Sequence, residues 1–125
     1  NMNKEAIENF KKAISLLPYQ YEIYDEHARF LYPLAVSYYQ RGDLESAQKQ
    51  FENIIDLSTG RLMWGDLYAK SYYWLGKIFQ HKGWTGKAIE NYEKFLQVWM
   101  KADPDIPELG DAKKQLLLLK QGSRE

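Results

Sequence analysis

Apolar residues recur along most of this chain at the spacing of one helical face, in six blocks separated by turn-forming residues. The first block covers residues 3–17, where Ala6, Phe10, Ala13 and Ile14 share a face and Pro18 marks a stop. The second covers 26–41, with Asp25 as its N-cap and Leu31, Leu34, Ala35 and Tyr38 turned inward. Gly42 and Asp43 turn the chain into the third, 44–57, whose inner positions are Ala47, Phe51, Ile54 and Ile55. In the fourth, 67–82, Tyr72, Leu75, Gly76 and Phe79 fall at i, i+3, i+4 and i+7. Gly83 suits a left-handed helix end and Thr85 the next N-cap. The fifth block, 86–101, then buries Ala88, Tyr92, Phe95 and Leu96. Asp103-Pro104-Asp105-Ile106-Pro107 breaks the pattern, and a sixth helix over 108–121 places Leu109, Ala112, Leu116 and Leu119 on one face. Leu117 and Leu118 are surplus to that face. Pro33 lies inside the second block, where it costs about 3 kcal/mol in a regular helix. A kink or a late helix start near Arg29–Pro33 is therefore expected.

The blocks repeat. Ala6, Ala47 and Ala88 are each 41 residues apart, as are Asp25 and Asp66, and Gly42 and Gly83. The words Ala6-Ile-Glu-Asn9 and Ala88-Ile-Glu-Asn91 are identical, and each is followed by an aromatic ring. Repetition at this period means stacked helical hairpins. Gly76 and Ala88 sit where two helices would approach closely, with large rings filling the space on either side.

Tyr72-x2-Leu75-Gly76-x2-Phe79 followed by Ala88-x3-Tyr92 resembles the signature of the tetratricopeptide repeat, without its closing proline. Ala6-x3-Phe10, then Ala13 and Pro18, resembles the second half of such a repeat. The resemblance implies an all-α, right-handed superhelix of antiparallel hairpins with a C-terminal capping helix. It divides the chain into a half repeat (1–18), hairpins at 25–58 and 66–101, and a cap at 108–121. The first helix lacks the partner that normally precedes it. Either the chain is cut from a longer array, or this helix docks on something else. The period exceeds the family's usual one of about 34 residues. The excess lies between hairpins, or lengthens the first helix of each as in kinesin-light-chain-like members. HEAT and armadillo arrays have periods near 40 but lack the Gly/Ala-with-aromatic signature. The stretches GDLYAKSYYWLGK and YEKFLQVWMKADPDIPEL also look like the C-terminal repeat regions of bacterial multidomain signalling proteins.

Composition permits one domain. The chain has 125 residues, 45% of them hydrophobic and 15% aromatic, which argues against disorder. No apolar run approaches the roughly 20 residues of a membrane span, and no signal peptide is visible. Zero cysteines remove disulfides and thiolate metal sites. The formal net charge of zero argues against a dedicated nucleic-acid binder. Charge is unevenly spread: residues 1–60 carry six Lys/Arg against nine Asp/Glu, and residues 61–101 seven against three. A solvated helical face is the plainest reading of that imbalance. His27 and His81 have no metal-ligand partner spacing, and no GxGxxG or Walker sequence occurs. The chain is therefore expected to be no enzyme, to need no metal or cofactor, and to reside in the cytoplasm.

If the resemblance holds, the first helix of each hairpin lines a concave groove with the residues not used for packing. These are Arg29, Tyr32, Val36, Tyr39 and Gln40, then Lys70, Tyr73, Lys77, Gln80 and His81. A base (Arg29, Lys70) and a tyrosine (Tyr32, Tyr73) recur 41 residues apart. Such a groove suits a protein or peptide partner with acidic or aromatic side chains. Equally, the tyrosines cover the neighbouring hairpin. The carboxylate clamp of chaperone-binding members is not supported, because Val36 stands where its first asparagine belongs. The expected function is a protein-interaction module in a larger scaffold or signalling protein. Trp64 and Trp84 are the candidates if the site lies in the loops. The alternative is structural self-assembly or intramolecular docking, with a homo-oligomer formed through the N-terminal half repeat. RNA binding ranks third, for want of repeated base-reading polar pairs.

Overall fold

A computed structural model of the chain describes residues 2–15, 24–56, 65–99 and 106–122, and these form six α-helices and no strand. α1 spans Met2–Ser15, α2 Tyr24–Arg41, α3 Leu44–Asp56, α4 Gly65–His81, α5 Thr85–Val98 and α6 Pro107–Gly122. The helix ends agree with the apolar periodicity to within three residues. The expected breaks at Pro18, at 59–64 and at 103–105 lie outside the described residues. α2, α4 and α6 begin 41 and 42 residues apart, and α1, α3 and α5 begin 42 and 41 apart. By register, α6 stands in the place that the first helix of a hairpin takes.

The chain divides into two compact units, Asn1–Ser71 and Tyr72–Glu125, with α4 passing from one to the other. In the first unit α1 packs on α2 and α2 on α3. Leu31, Leu34, Ala35 and Tyr38 of α2 are buried, as are Ala47, Phe51 and Ile54 of α3. Each large apolar side chain so buried contributes about 1.5–3 kcal/mol. Ala35 and Ala47 have no exposed surface, and Tyr32 meets the Phe51 ring edge-on at 6.0 Å. On α1 it is Ile7 that is buried, whereas Ala6, Phe10 and Ala13 are half-buried. The side chain of Ile14 lies outside the described residues.

The second unit contains most of α4, with α5 and α6, and α5 packs on α6. Its core is Tyr73, Leu75, Ile78 and Phe79 from α4, Ala88, Tyr92 and Phe95 from α5, and Ala112 from α6. Leu109, Leu116 and Leu119 of α6 are only half-buried, and Leu117 and Leu118 are exposed.

Both hairpins turn on one backbone motif. Gly42 and Gly83 have φ of 91° and 78°, the left-handed conformation that glycine reaches without steric cost. After the first, Asp43 N–H donates to the Tyr38 carbonyl at 2.9 Å; after the second, Trp84 N–H donates to the Phe79 carbonyl at 2.9 Å. These bonds satisfy carbonyls that a helix end otherwise leaves unpaired.

Three local expectations need correction. α2 does not start late: it runs unbroken from Tyr24 through Pro33 to Arg41. Leu31, Leu34 and Ala35 are buried on both sides of the proline, so packing offsets the one forfeited hydrogen bond. Asp25 is the second residue of α2 and not its N-cap, because the helix has already begun at Tyr24. Thr85 is the first residue of α5, and the N-cap position falls on Trp84, which makes no side-chain capping bond.

Candidate protein-interaction site

The α4–α5 hairpin is built on a close helix crossing. A Cβ at Gly76 would lie 2.8 Å from Tyr92 Cδ1, so the bare backbone of α4 is what admits the Tyr92 ring. Tyr92 is fully buried and is flanked by Tyr73, ring centroids 6.1 Å apart. Tyr73 also meets Phe95 at 5.6 Å.

On top of this aromatic layer α4, α5 and α6 share one chain of hydrogen bonds. Tyr92 OH donates to Gln80 Oε1 at 2.8 Å, and Gln80 Nε2 donates to Gln115 Oε1 at 2.9 Å. Gln115 Nε2 donates in turn to Asp111 Oδ1 at 3.3 Å, and Tyr73 OH donates to Asp111 Oδ2 at 2.6 Å. Lys77 Nζ lies 3.5 Å from the same oxygen and 5.6 Å from the centre of the Tyr73 ring. Asp111 is the acceptor on which the network ends. Burial works to raise its carboxyl, but the Tyr73 hydroxyl, the Gln115 amide and the Lys77 ammonium outweigh burial and hold it below the usual 3.8. The Tyr73 phenol is pushed well above 10.0, first by burial and then by the hydrogen bond and charge of Asp111. At neutral pH the site therefore holds a neutral phenol on a carboxylate. A charge-assisted hydrogen bond of this kind is roughly twice as strong as a neutral one.

Of the residues expected to face a groove, Tyr73, Lys77 and Gln80 are brought together, and α6 lies against them. Tyr73 is buried, with 6% of its surface exposed. His81 is exposed and lines, with Lys77, Gln80 and Gln115, a recess of about 280 Å3. A larger hollow of about 660 Å3 lies elsewhere, on the outer side of α5 beside Tyr72, Ile89 and Lys94. Within the first unit, Tyr32, Val36, Tyr39 and Lys70 are half-buried and Gln40 is exposed. The Arg29 side chain lies outside the described residues. Asp111 and Gln115 were not among the expected site residues. For Asp111 the 41-residue register carries a signal, since it sets Asp111 in the place that Lys70 holds on α4; Gln115 falls on Trp74 and has none.

Among the described residues no group of three or more His, Cys, Asp or Glu could hold a metal ion, and no helix is long and apolar enough to cross a membrane. The crossing of α4 and α5 at Gly76 decides what kind of hairpin this is. Residues 69–98 match the family model of the tetratricopeptide repeat. This stretch is a tetratricopeptide repeat. The tetratricopeptide match covers the hairpin whose packing glycine, small alanine and rings have just been described, and the described residues outside it are likewise all α-helical. No curated protein matches the chain.

Proposed function

We propose that the chain is a protein-interaction module in which the first helix of each hairpin receives a peptide or protein segment bearing acidic side chains. A tetratricopeptide repeat points to protein partners in general; the finer reading rests on how α6 is held. Its carboxylate and amide, Asp111 and Gln115, meet Tyr73, Lys77 and Gln80 of α4, of which Tyr73 and Gln80 also touch α5. The chain thus presents in cis the chemistry that a bound segment would use: an acid on a phenol and an ammonium, with an amide one turn further on. His81 and, in the first unit, Arg29, Tyr32, Val36, Tyr39, Gln40 and Lys70 extend the proposed set.

The test starts from a partner captured with the intact chain and identified by mass spectrometry, then titrated against Lys70→Glu combined with Lys77→Gln. The glutamine avoids placing a second carboxylate beside Asp111. Affinity should fall several-fold, and the residual binding should depend less on salt. Unchanged affinity would place the site off these helices.

A second reading, self-assembly, draws on the exposed pair Leu117 (59%) and Leu118 (51%) on α6. Isolated exposed leucines are ordinary, but two adjacent ones on a helix that stands in hairpin register form a surface for a further helix. A second copy could supply α1, whose Phe10 is half-buried. Sedimentation equilibrium should then show association that Leu117→Lys with Leu118→Lys removes. A monomer at high concentration would end this reading.

A further inference from the structure

At the tip of its second hairpin the chain departs from its own repeat. In the first hairpin the residue after the turn glycine is Asp43, whose Oδ1 accepts the Ser46 N–H at 3.1 Å and so caps α3. At the same place in the second hairpin stands Trp84, and α5 starts with no side-chain cap. The backbone does not force the exchange, because both turns make the same hydrogen bonds. Nor is it confined to one position. The first turn of α3 carries Glu45, whereas the first turn of α5 carries no acidic residue. In the 41-residue register Glu45 is replaced by Gly86 and Ser46 by Lys87. An acidic, capped tip has become a cationic, aromatic one.

The indole of Trp84 stacks on Phe79, with ring centroids 5.7 Å apart and an interplanar angle of 18°. Phe79 is buried, yet Trp84 itself keeps 49% of its surface exposed. Two ammonium groups lie over these rings: Lys82 Nζ is 5.1 Å from the centre of Trp84, and Lys87 Nζ is 5.7 Å from Trp84 and 5.4 Å from Phe79. Covering Phe79 requires an apolar side chain, which a leucine would supply. It does not require a tryptophan with half its area in water, a lysine in place of Ser46, or the loss of the N-cap that the sister hairpin keeps; Lys82 stands where the first tip already has Arg41.

We infer that the tip formed by Phe79, Lys82, Trp84 and Lys87 is a docking site for an acidic, aromatic-bearing segment of a partner protein. The exposed indole takes the ligand's ring or aliphatic side chain, and the lysines take its carboxylates. At an exposed position such as Lys87 the lysine–ring attraction is weak, so that ammonium can swing onto a carboxylate at little cost. Acid beside ring is the complement of cation beside ring, and tryptophan is the residue type most often found to anchor interfaces. Two lysines are too few to make a phosphate-tracking surface, and the chain's net charge is zero. This site is separate from the helix face of α4 proposed above, and either can fail without the other.

The experiment titrates the full chain into a rhodamine-labelled peptide of repeated Glu-Tyr-Glu and follows fluorescence anisotropy. Saturable, salt-sensitive binding is expected. Trp84→Leu, which still covers Phe79, and Lys82→Gln with Lys87→Gln should each weaken it about tenfold. Neither should move the melting temperature by more than about 3 °C. Lys70→Gln with Lys77→Gln removes whatever the α4 face contributes to binding; Trp84→Leu should weaken the peptide by the same factor in that background, which separates the tip from the α4 face. Trp84→Asp adds a second readout: it restores the cap that Asp43 provides and should abolish binding while the chain stays folded. Absence of saturable binding overturns the inference, as does disappearance of the Trp84→Leu effect in the Lys70/Lys77 background. Trp84-dependent co-sedimentation with phosphatidylserine vesicles in place of peptide binding also overturns it, since the tip would then be a membrane contact.

Discussion

Replacing Gly76 by alanine exchanges one hydrogen for a methyl group on a helix, a change that by propensity alone should stabilise it by about 0.5–1 kcal/mol. In this hairpin the opposite is expected. The new carbon would stand 2.8 Å, 2.9 Å and 3.0 Å from Cδ1, Cε1 and Cγ of Tyr92, against a comfortable carbon–carbon separation of about 3.5–4.0 Å. The ring cannot yield cheaply. Tyr92 has no exposed surface, its hydroxyl is tied to Gln80 at 2.8 Å, and Tyr73 lies against it. Either α4 and α5 part by several tenths of an ångström, or Tyr92 rotates and gives up its hydrogen bond. Overpacking of this kind costs about 1–3 kcal/mol, so the net loss is about 1 kcal/mol, or roughly 4 °C in melting temperature. Gly76→Leu should lose more. Gly110→Ala is the control, because a Cβ there meets nothing within 4 Å and only the propensity gain remains. Thermal melts of the three variants, with Gly76→Ala also made in a Tyr92→Leu background, give the assay. The cycle should return a coupling of about 1 kcal/mol, the smaller side chain having made room. If Gly76→Ala melts at or above the parent, or its effect is the same in both backgrounds, the close crossing is not what that glycine serves.

Asp111→Asn should loosen α6, and its effect should depend on pH. The folded carboxyl titrates below its usual 3.8, so its stabilising contribution is in place above that value and is lost as pH falls through the lower folded value. The variant should therefore melt below the parent at pH 7 and converge with it in strong acid. Parallel melting curves across that range would remove Asp111 from the docking of α6. Gly83→Ala forces an alanine to φ 78° at the hairpin turn and should cost about 1 kcal/mol, although a methyl group there meets nothing within 4 Å. Chemical denaturation would measure it, and an unchanged midpoint would mean that the turn can be rebuilt without the left-handed residue.

Helices and turns were legible in the residues because both are local. A period of 3.6 identifies a face whatever it packs against, so Leu31, Leu34, Ala35 and Tyr38 could be named as core and are buried. A glycine at the end of such a run predicts a left-handed residue, and Gly42 and Gly83 adopt it. Gly76 opposite a large ring followed from the repeat signature, and the Tyr92 contact is its physical content.

The second face of each helix was not legible, and there the tertiary structure decided. In stacked hairpins a first helix packs on its own partner and again on the helix that follows, whereas periodicity marks one seam. Tyr72 and Tyr73 are neighbours in sequence; the pattern assigned the first to the core and the second to a groove. In the folded chain Tyr72 is half-buried and Tyr73 is buried, with its hydroxyl on Asp111, 38 residues away. Thr85 looked like a cap by residue type, yet helix α5 begins one position too early for it to serve, and Trp84 holds the place. Residue type and spacing were enough to place the turns at Gly42 and Gly83 and the main buried positions of α2, α3 and α5. Which polar group meets which was settled only when α6 came to rest on α4, because a hydrogen bond depends on an ångström-scale distance that no interval along the chain encodes.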